Sequence, residues 1–108
     1  MNMFVQILRY KTAVDFNKEE GIKSLKPIDE VKELNEGIVY KLILLSEDES
    51  EFIVILFWQD QEIMLKVFPR YAKSPEINSF FQFVDGEHFE FKGYQIVDKW
   101  PEDQPLKF

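Results

Sequence analysis

The sequence contains no cysteine and only one histidine. Without cysteine the chain can form neither a disulfide nor a thiolate zinc site. No apolar run approaches the roughly 18 residues that a membrane-spanning helix requires. The amino-terminal stretch also lacks the small-residue cleavage site of a signal peptide. We therefore expect a cytoplasmic protein that does not bind membranes.

Residues that could perform catalysis are also scarce. His88 is flanked by Glu87 and Glu90, but a metal site needs three or four converging ligands, and nothing else nearby in sequence could chelate. The four glycines lack phosphate-loop spacing, and no serine lies in a Gly-x-Ser-x-Gly turn. The sequence therefore predicts no catalytic residue, no bound metal and no cofactor. An enzyme would have to use His88 or a carboxylate pair in a pocket.

Basic residues are absent from the segment that carries most of the negative charge. The net charge is −7, and residues 47–62 contribute six acidic side chains and no lysine or arginine. These residues are Glu47, Asp48, Glu49, Glu51, Asp60 and Glu62. A protein that binds nucleic acid without sequence preference needs a basic surface, so this distribution argues against direct nucleic-acid binding. It is compatible with a basic protein partner.

The most informative stretch that is present is residues 52–58, which contain no polar side chain. Alternate residues of a strand point to opposite faces, so both faces of a strand here would be apolar. Seven residues are short for a buried helix, and the β-branched residues favour a strand. We predict a central strand that is covered on both faces.

Turn and capping signals divide the rest of the chain. The predicted strands cover residues 4–10, 38–45, 52–58 and 62–68, followed by a final hairpin with its loop at Lys92 and Gly93. The predicted helices cover residues 27–36, ending at Gly37, and a second segment from Ser74–Pro75 to a cap at Gly86. Residues 101–108 are predicted to form a flexible tail. The order β-α-β-β-β-α-β-β predicts a single α+β domain, residues 1–108, with a mostly antiparallel sheet and two helices.

Localised negative charge without a catalytic constellation predicts a non-enzymatic inhibitor, similar in role to an immunity protein or antitoxin. Its partner would be a basic protein such as a toxin or nuclease, contacted by the six acidic residues of the segment 47–62. The alternative is an accessory or anti-defence protein of a phage or mobile element that assembles through exposed aromatic residues. The candidates for that surface are Tyr71, Trp100 and Phe108. The sequence leaves the oligomeric state open.

Overall fold

The computed structural model describes residues 3–101, except for the side chains of residues 86–88. In chain order the elements are β1 (Phe4–Thr12), α1 (Lys18–Lys23), α2 (Lys26–Asp29), a 3-10 helix (Lys32–Leu34), β2 (Ile38–Leu45), β3 (Glu51–Trp58), α3 (Gln61–Lys73), α4 (Pro75–Phe81) and β4 (Val84–Gln95). None of these helices is long and apolar enough to cross a membrane.

The four strands form one antiparallel sheet in the order β2-β3-β1-β4. β1 and β3 are neighbours at its centre, with Phe4 opposite Trp58 and Tyr10 opposite Phe52. Helices follow β1 and β3, so the chain is a β-α-β-β-α-β unit, which is the ferredoxin-like arrangement. The prediction of a single, mostly antiparallel α+β domain with a central strand at residues 52–58 is confirmed.

The core lies between the helices and one face of the sheet. Alternate residues of β1 and β3 point into it, as the two-residue period of a strand requires. The sheet side of the core comprises Phe4, Leu8, Tyr10, Phe52, Val54, Leu56 and Trp58. The helices contribute Ile28, Met64, Val67, Tyr71, Ile77 and Phe80 to the same cluster. Burial of this apolar set supplies the main driving force for the fold.

The prediction of a strand at residues 62–68 is wrong, because this segment belongs to α3. Asp60 begins the helix by accepting a hydrogen bond from the Ile63 backbone N–H at 2.9 Å. Met64, Val67 and Tyr71 are then buried at a helical spacing, whereas Leu65 is 62% exposed. The buried residues of this segment therefore follow the spacing of a helix and not the two-residue alternation that suggested a strand. Pro69, which we took as the end of a strand, lies inside the helix.

The predicted carboxy-terminal hairpin is also wrong. β4 continues through Lys92 and Gly93 as one 12-residue strand and pairs with β1 at nine positions. This long ladder satisfies the backbone groups along the outer edge of β1, which a local hairpin would leave unpaired. The helix predicted from Ser74–Pro75 exists, but it ends at Phe81, so Gly86 lies in β4 and is not its cap.

The helix predicted at residues 27–36 is broken into two short pieces, the four-residue α2 and the three-residue 3-10 helix. α1 lies in a polar segment for which we predicted no helix. Gly37 has the positive φ, +84°, expected of a glycine that ends a helical segment. A Cβ atom there would lie 2.5 Å from Ile63 Cγ1, so the site requires glycine on two grounds.

The helices cover only one face of the sheet, so the covering predicted for both faces of the central strand is not found within the single chain. Strand register places a second, mainly apolar set with three charged residues on the opposite side, which we call the open face. It consists of Val5, Ile7, Arg9, Tyr40, Leu42, Leu44, Ile53, Ile55, Phe57, Glu90, Lys92 and Tyr94. Among the described residues, those that the helices contribute to the buried core all pack against the other face of the sheet. Leu44 and Tyr94 are each 44% exposed there.

Candidate functional site

A cavity of about 370 Å³ opens between α3 and the β1–β4 side of the sheet. It is lined by Phe4, Gln6, Gln61, Met64, Leu65, Phe68, Pro69, Phe91 and Gly93. We call this cavity the helix–sheet cleft. Its volume lies within the range of small-molecule sites, and its walls are mainly apolar and aromatic, as such sites usually are.

Two aromatic side chains from different elements form part of the wall. Phe68 of α3 and Phe91 of β4 have ring centroids 5.7 Å apart and planes tilted by 47°. Phe91 is 54% exposed, so one side of this pair is accessible from solvent. An aromatic or other apolar ring could therefore pack against it within the cleft.

Gly93 determines the shape of the cleft floor. It lies opposite Gln6 in the β1–β4 ladder, and the ring of Phe4 packs directly over it. A Cβ atom at Gly93 would lie 2.3 Å from Phe4 Cζ, which is far closer than atoms can approach. The missing side chain lets the Phe4 ring lie directly against the β4 backbone in the wall of the cleft.

We expect Gly93→Ala to lower the free energy of unfolding by about 1–3 kcal/mol, because the added methyl forces the Phe4 ring out of its position. Chemical denaturation would measure this change. Ser79→Ala, at an exposed position of α4, is the control and should change stability by no more than about 0.5 kcal/mol. Equal effects of the two substitutions would show that the Phe4 contact does not restrict position 93.

The polar group at the bottom of the cleft is the amide of Gln6. Its side chain is only 2% exposed and occupies a strand whose other inward residues are apolar. The Trp58 indole Nε1–H donates a hydrogen bond to Gln6 Oε1 at 3.0 Å, and Trp58 itself is fully buried. A buried pair of this kind fixes both side chains in a single arrangement.

This hydrogen bond also determines which way the amide points. An indole N–H can only donate, so the oxygen of Gln6 must face Trp58 and the nitrogen must occupy the other position. Among the described residues, the Trp58 contact is the only hydrogen bond of the Gln6 side chain. No side-chain nitrogen or oxygen of a described residue is both fully buried and unpaired. Gln6 Nε2 therefore presents its N–H groups to the helix–sheet cleft.

A second cavity of about 510 Å³ adjoins the first and shares Phe4 and Gln61 with it. Its lining includes Asp60 and Glu62, two of the six acidic residues singled out from the sequence. Asp60 already has a structural role as the cap of α3. These two carboxylates therefore lie beside the entrance of the helix–sheet cleft.

The other four acidic residues lie at the opposite end of β3, in and beside the turn between β2 and β3. They are Glu47, Asp48, Glu49 and Glu51. Glu51 accepts a hydrogen bond from Arg9 Nη1 at 2.7 Å. The structure thus separates the acidic residues into two groups, and their role in binding a partner stays a prediction.

Asp48 organises this turn through three hydrogen bonds. Its Oδ1 accepts from Ser50 Oγ at 2.7 Å, Ser46 Oγ at 2.8 Å and the Ser50 backbone N–H at 3.1 Å. These donors, the Ser50 hydroxyl first and then the Ser46 hydroxyl, favour the carboxylate and lower the pKa of Asp48 to about 2.

We expect the stabilising effect of Asp48 to depend on pH. Its folded pKa lies below its ordinary value of 3.8, so folding favours the ionised form. The contribution is complete above about pH 4 and is lost as the pH falls towards about 2. The difference in free energy of unfolding between wild type and Asp48→Ala should therefore shrink over this interval. A difference that stays constant from pH 6 to pH 2 would contradict the assignment.

The remaining sequence candidates do not converge on the helix–sheet cleft. The side chain of His88 and all of Phe108 lie outside what the structure describes, as does most of the predicted tail. Trp100 is 92% exposed, but Tyr71 is buried in the core, and this burial raises the pKa of its phenol. Tyr71 therefore does not belong to an exposed aromatic surface. Among the side chains that the structure describes, which exclude those of residues 86–88, no cluster of three His, Asp or Glu could hold a metal ion.

No protein-family profile matches the chain, and no curated protein is significantly similar to it in sequence. Its fold does resemble solved structures. SnoaB, a cofactor-independent oxygenase from Streptomyces nogalater, superposes with a TM-score of 0.72 at 12% identity, over 94% of this chain and 100% of SnoaB. A candidate antibiotic biosynthesis monooxygenase from Chloroflexus aurantiacus superposes with a TM-score of 0.66 at 10% identity, over 93% and 98% of the two chains.

A dimeric ferredoxin-like protein from an uncultured marine organism gives a TM-score of 0.64 at 14% identity, over 93% of this chain and 92% of that protein. Together these neighbours define the class of fold, a ferredoxin-like α+β domain also used by oxygenases.

This class contradicts the functional interpretation drawn from the sequence. An immunity-protein or antitoxin-like inhibitor is not supported, and the prediction that the chain is not an enzyme is overturned. That interpretation took the absence of familiar catalytic motifs as evidence against enzymatic function, although a site can be built from residues that share no motif. The residues it missed are Gln6, Trp58 and Gly93. The one signal of this site in the sequence was a single glutamine within the apolar stretch of β1. A polar side chain at a buried position normally forms a hydrogen bond.

Proposed function

We propose that this protein is an enzyme that binds a small, largely apolar molecule in the helix–sheet cleft. The observation that carries the proposal is the combination of apolar, aromatic walls with one buried, oriented amide. Small-molecule sites commonly join an apolar lining to a few fixed polar groups, and Gln6 supplies such a group here. The cleft is also formed by rigid elements, α3 and the sheet, which hold the lining residues in place.

Oxygenation is the reaction class that we propose for this site. The support is the fold that the chain shares with SnoaB and with the Chloroflexus protein. An oxygenase that works without a cofactor has to take the electrons that reduce O₂ from its substrate. The substrate would then be an electron-rich molecule, such as a phenol or an enolisable ketone, whose ionised oxygen gains stability from a hydrogen-bond donor.

Blocking the cleft tests this proposal. Leu65 lines the entrance and is 62% exposed, so Leu65→Trp adds bulk there without disturbing the core. Wild type should bind at least one member of a set of aromatic ketones and phenols and consume O₂ with it, and Leu65→Trp should weaken both activities at least tenfold. Val14→Trp, at a fully exposed position away from the cleft, should leave them unchanged. If wild type binds none of these compounds, or Leu65→Trp binds them equally well, the proposal is wrong.

We also propose that a second copy of the chain covers the open face. Strands of eight residues at about 3.3 Å each and four strands about 4.8 Å apart give roughly 500 Å² per copy. Two such faces would bury about 1,000 Å², which reaches the lower limit for a specific interface. The dimeric state of the marine ferredoxin-like protein supports self-association of a chain with this fold. A separate protein partner and a cytoplasmic location stay predictions.

A further inference from the structure

We infer that Gln6 selects the ligand of the helix–sheet cleft by donating a hydrogen bond from Nε2 to an acceptor oxygen. The inference rests on the proposed function and adds the chemical class of the ligand: a ring-containing apolar molecule that carries a carbonyl or anionic oxygen. An aliphatic or aromatic hydrocarbon of the same shape would bind less tightly.

The burial of Gln6 gives this donor its selectivity. The residue is only 2% exposed, and the nitrogen of its side-chain amide, Nε2, lacks a partner among the described residues. In the empty cleft, water can satisfy Nε2. A ligand that displaces this water without offering an acceptor leaves a buried donor unpaired, and that loss discriminates more strongly than the gain of one hydrogen bond.

Trp58 acts as a positioning residue. It lies behind Gln6 in the core and fixes the amide oxygen through its 3.0 Å hydrogen bond. Without the indole N–H, the amide could rotate and present its oxygen to the cleft in place of its nitrogen. Trp58→Phe should therefore reduce selectivity for an acceptor oxygen even though residue 58 does not line the cleft.

The matched probes are 9-fluorenone and fluorene, which have the same ring framework and differ in one carbonyl oxygen. We expect wild type to bind fluorenone about tenfold more tightly than fluorene, because fluorene leaves the buried Nε2 donor without an acceptor. Gln6→Met preserves the length and apolar volume of the side chain but removes the donor. It should bind the two compounds equally, and it should bind fluorene more tightly than wild type does, because no donor is left without an acceptor.

Gln82→Met is the control, because it makes the same substitution at an exposed position that does not line the cleft. It should keep the preference for fluorenone. The carbonyl stretching frequency of bound fluorenone gives a second measurement that does not depend on the stability of a variant. It should be lower in wild type than in an apolar solvent, since a hydrogen bond weakens the C=O bond.

Each result has a definite reading. A tenfold preference that disappears in Gln6→Met, together with a lowered carbonyl frequency in wild type, supports the inference. Equal binding of both compounds to wild type overturns the role of Gln6 but leaves the cleft as a binding site. Failure of wild type to bind either compound overturns the inference about the ligand, and failure to bind any of the aromatic ketones and phenols contradicts the proposed function as well.

Discussion

Replacing Leu44 with aspartate is expected to convert a dimer into a monomer. Leu44 lies on the open face of β2 and is 44% exposed in the single chain. If a second copy covers this face, the substitution buries one unpaired carboxylate per subunit, and each costs about 2 kcal/mol or more. The two together should weaken association by a factor of about 10³. Analytical ultracentrifugation over a range of concentrations would measure the change.

Leu65→Asp is the matched control for this experiment. It introduces the same side chain at an exposed leucine, but on α3, on the helical side of the sheet. The Leu65→Asp protein should dimerise like wild type. A wild-type protein that is monomeric at high micromolar concentration, or a Leu44→Asp protein that still dimerises, would show that a second copy does not cover the open face.

Replacing Phe80 with alanine should lower the free energy of unfolding by about 3–5 kcal/mol, the usual cost of removing a fully buried phenylalanine. Phe80 is 0% exposed and attaches α4 to the sheet. Its ring lies 5.1 Å from the Tyr10 ring and 5.2 Å from the Phe52 ring, so it contacts both central strands. Its removal would leave a cavity that these rigid neighbours cannot close. Denaturant unfolding would measure the loss.

The adjacent Phe81 provides the control. It is 42% exposed and contacts Phe80 at the edge of the cluster. Phe81→Ala should therefore cost much less, about 1 kcal/mol or below, because a large part of its apolar surface is already in water. Losses of similar size at the two positions would contradict the packing of α4 described here.

The central part of the fold could be predicted from local pattern. Residues 52–58 form a strand because their apolar and β-branched side chains fit only a buried sheet position, and they lie within β3. β2 occupies residues 38–45, the segment predicted for it. Ser74 and Pro75 marked the start of a helix correctly, since a polar cap followed by proline is a local signal that does not need tertiary contacts.

The errors arose where tertiary contacts override local pattern. Leu65 and Val67 suit either a strand or a helix, and the cap at Asp60 together with packing of Val67 on the core selects the helix. Residues 92–93 look like a hairpin loop, but pairing with β1 keeps them extended. The open face could not be foreseen either, because an apolar strand gives no indication of which layers cover it.

The candidate site was beyond sequence analysis for a similar reason. Gln6 and Trp58 are separated by 52 positions in the chain, and only the antiparallel pairing of β1 with β3 brings them into hydrogen-bonding distance. Gly93 lies opposite Gln6 because β4 pairs with β1. None of the three belongs to a motif, so their chemistry appears only when the sheet is assembled.

The most direct test of the central claim is an amide NMR titration of the wild-type protein with 9-fluorenone. We expect chemical-shift changes at the backbone amides of Gln61, Leu65 and Gly93 and at the side-chain amide of Gln6, which this experiment also detects. We expect little change at Leu44 on the open face. Shifts that cluster on the open face, or no shift up to the solubility limit of the compound, would contradict a small-molecule site in the helix–sheet cleft.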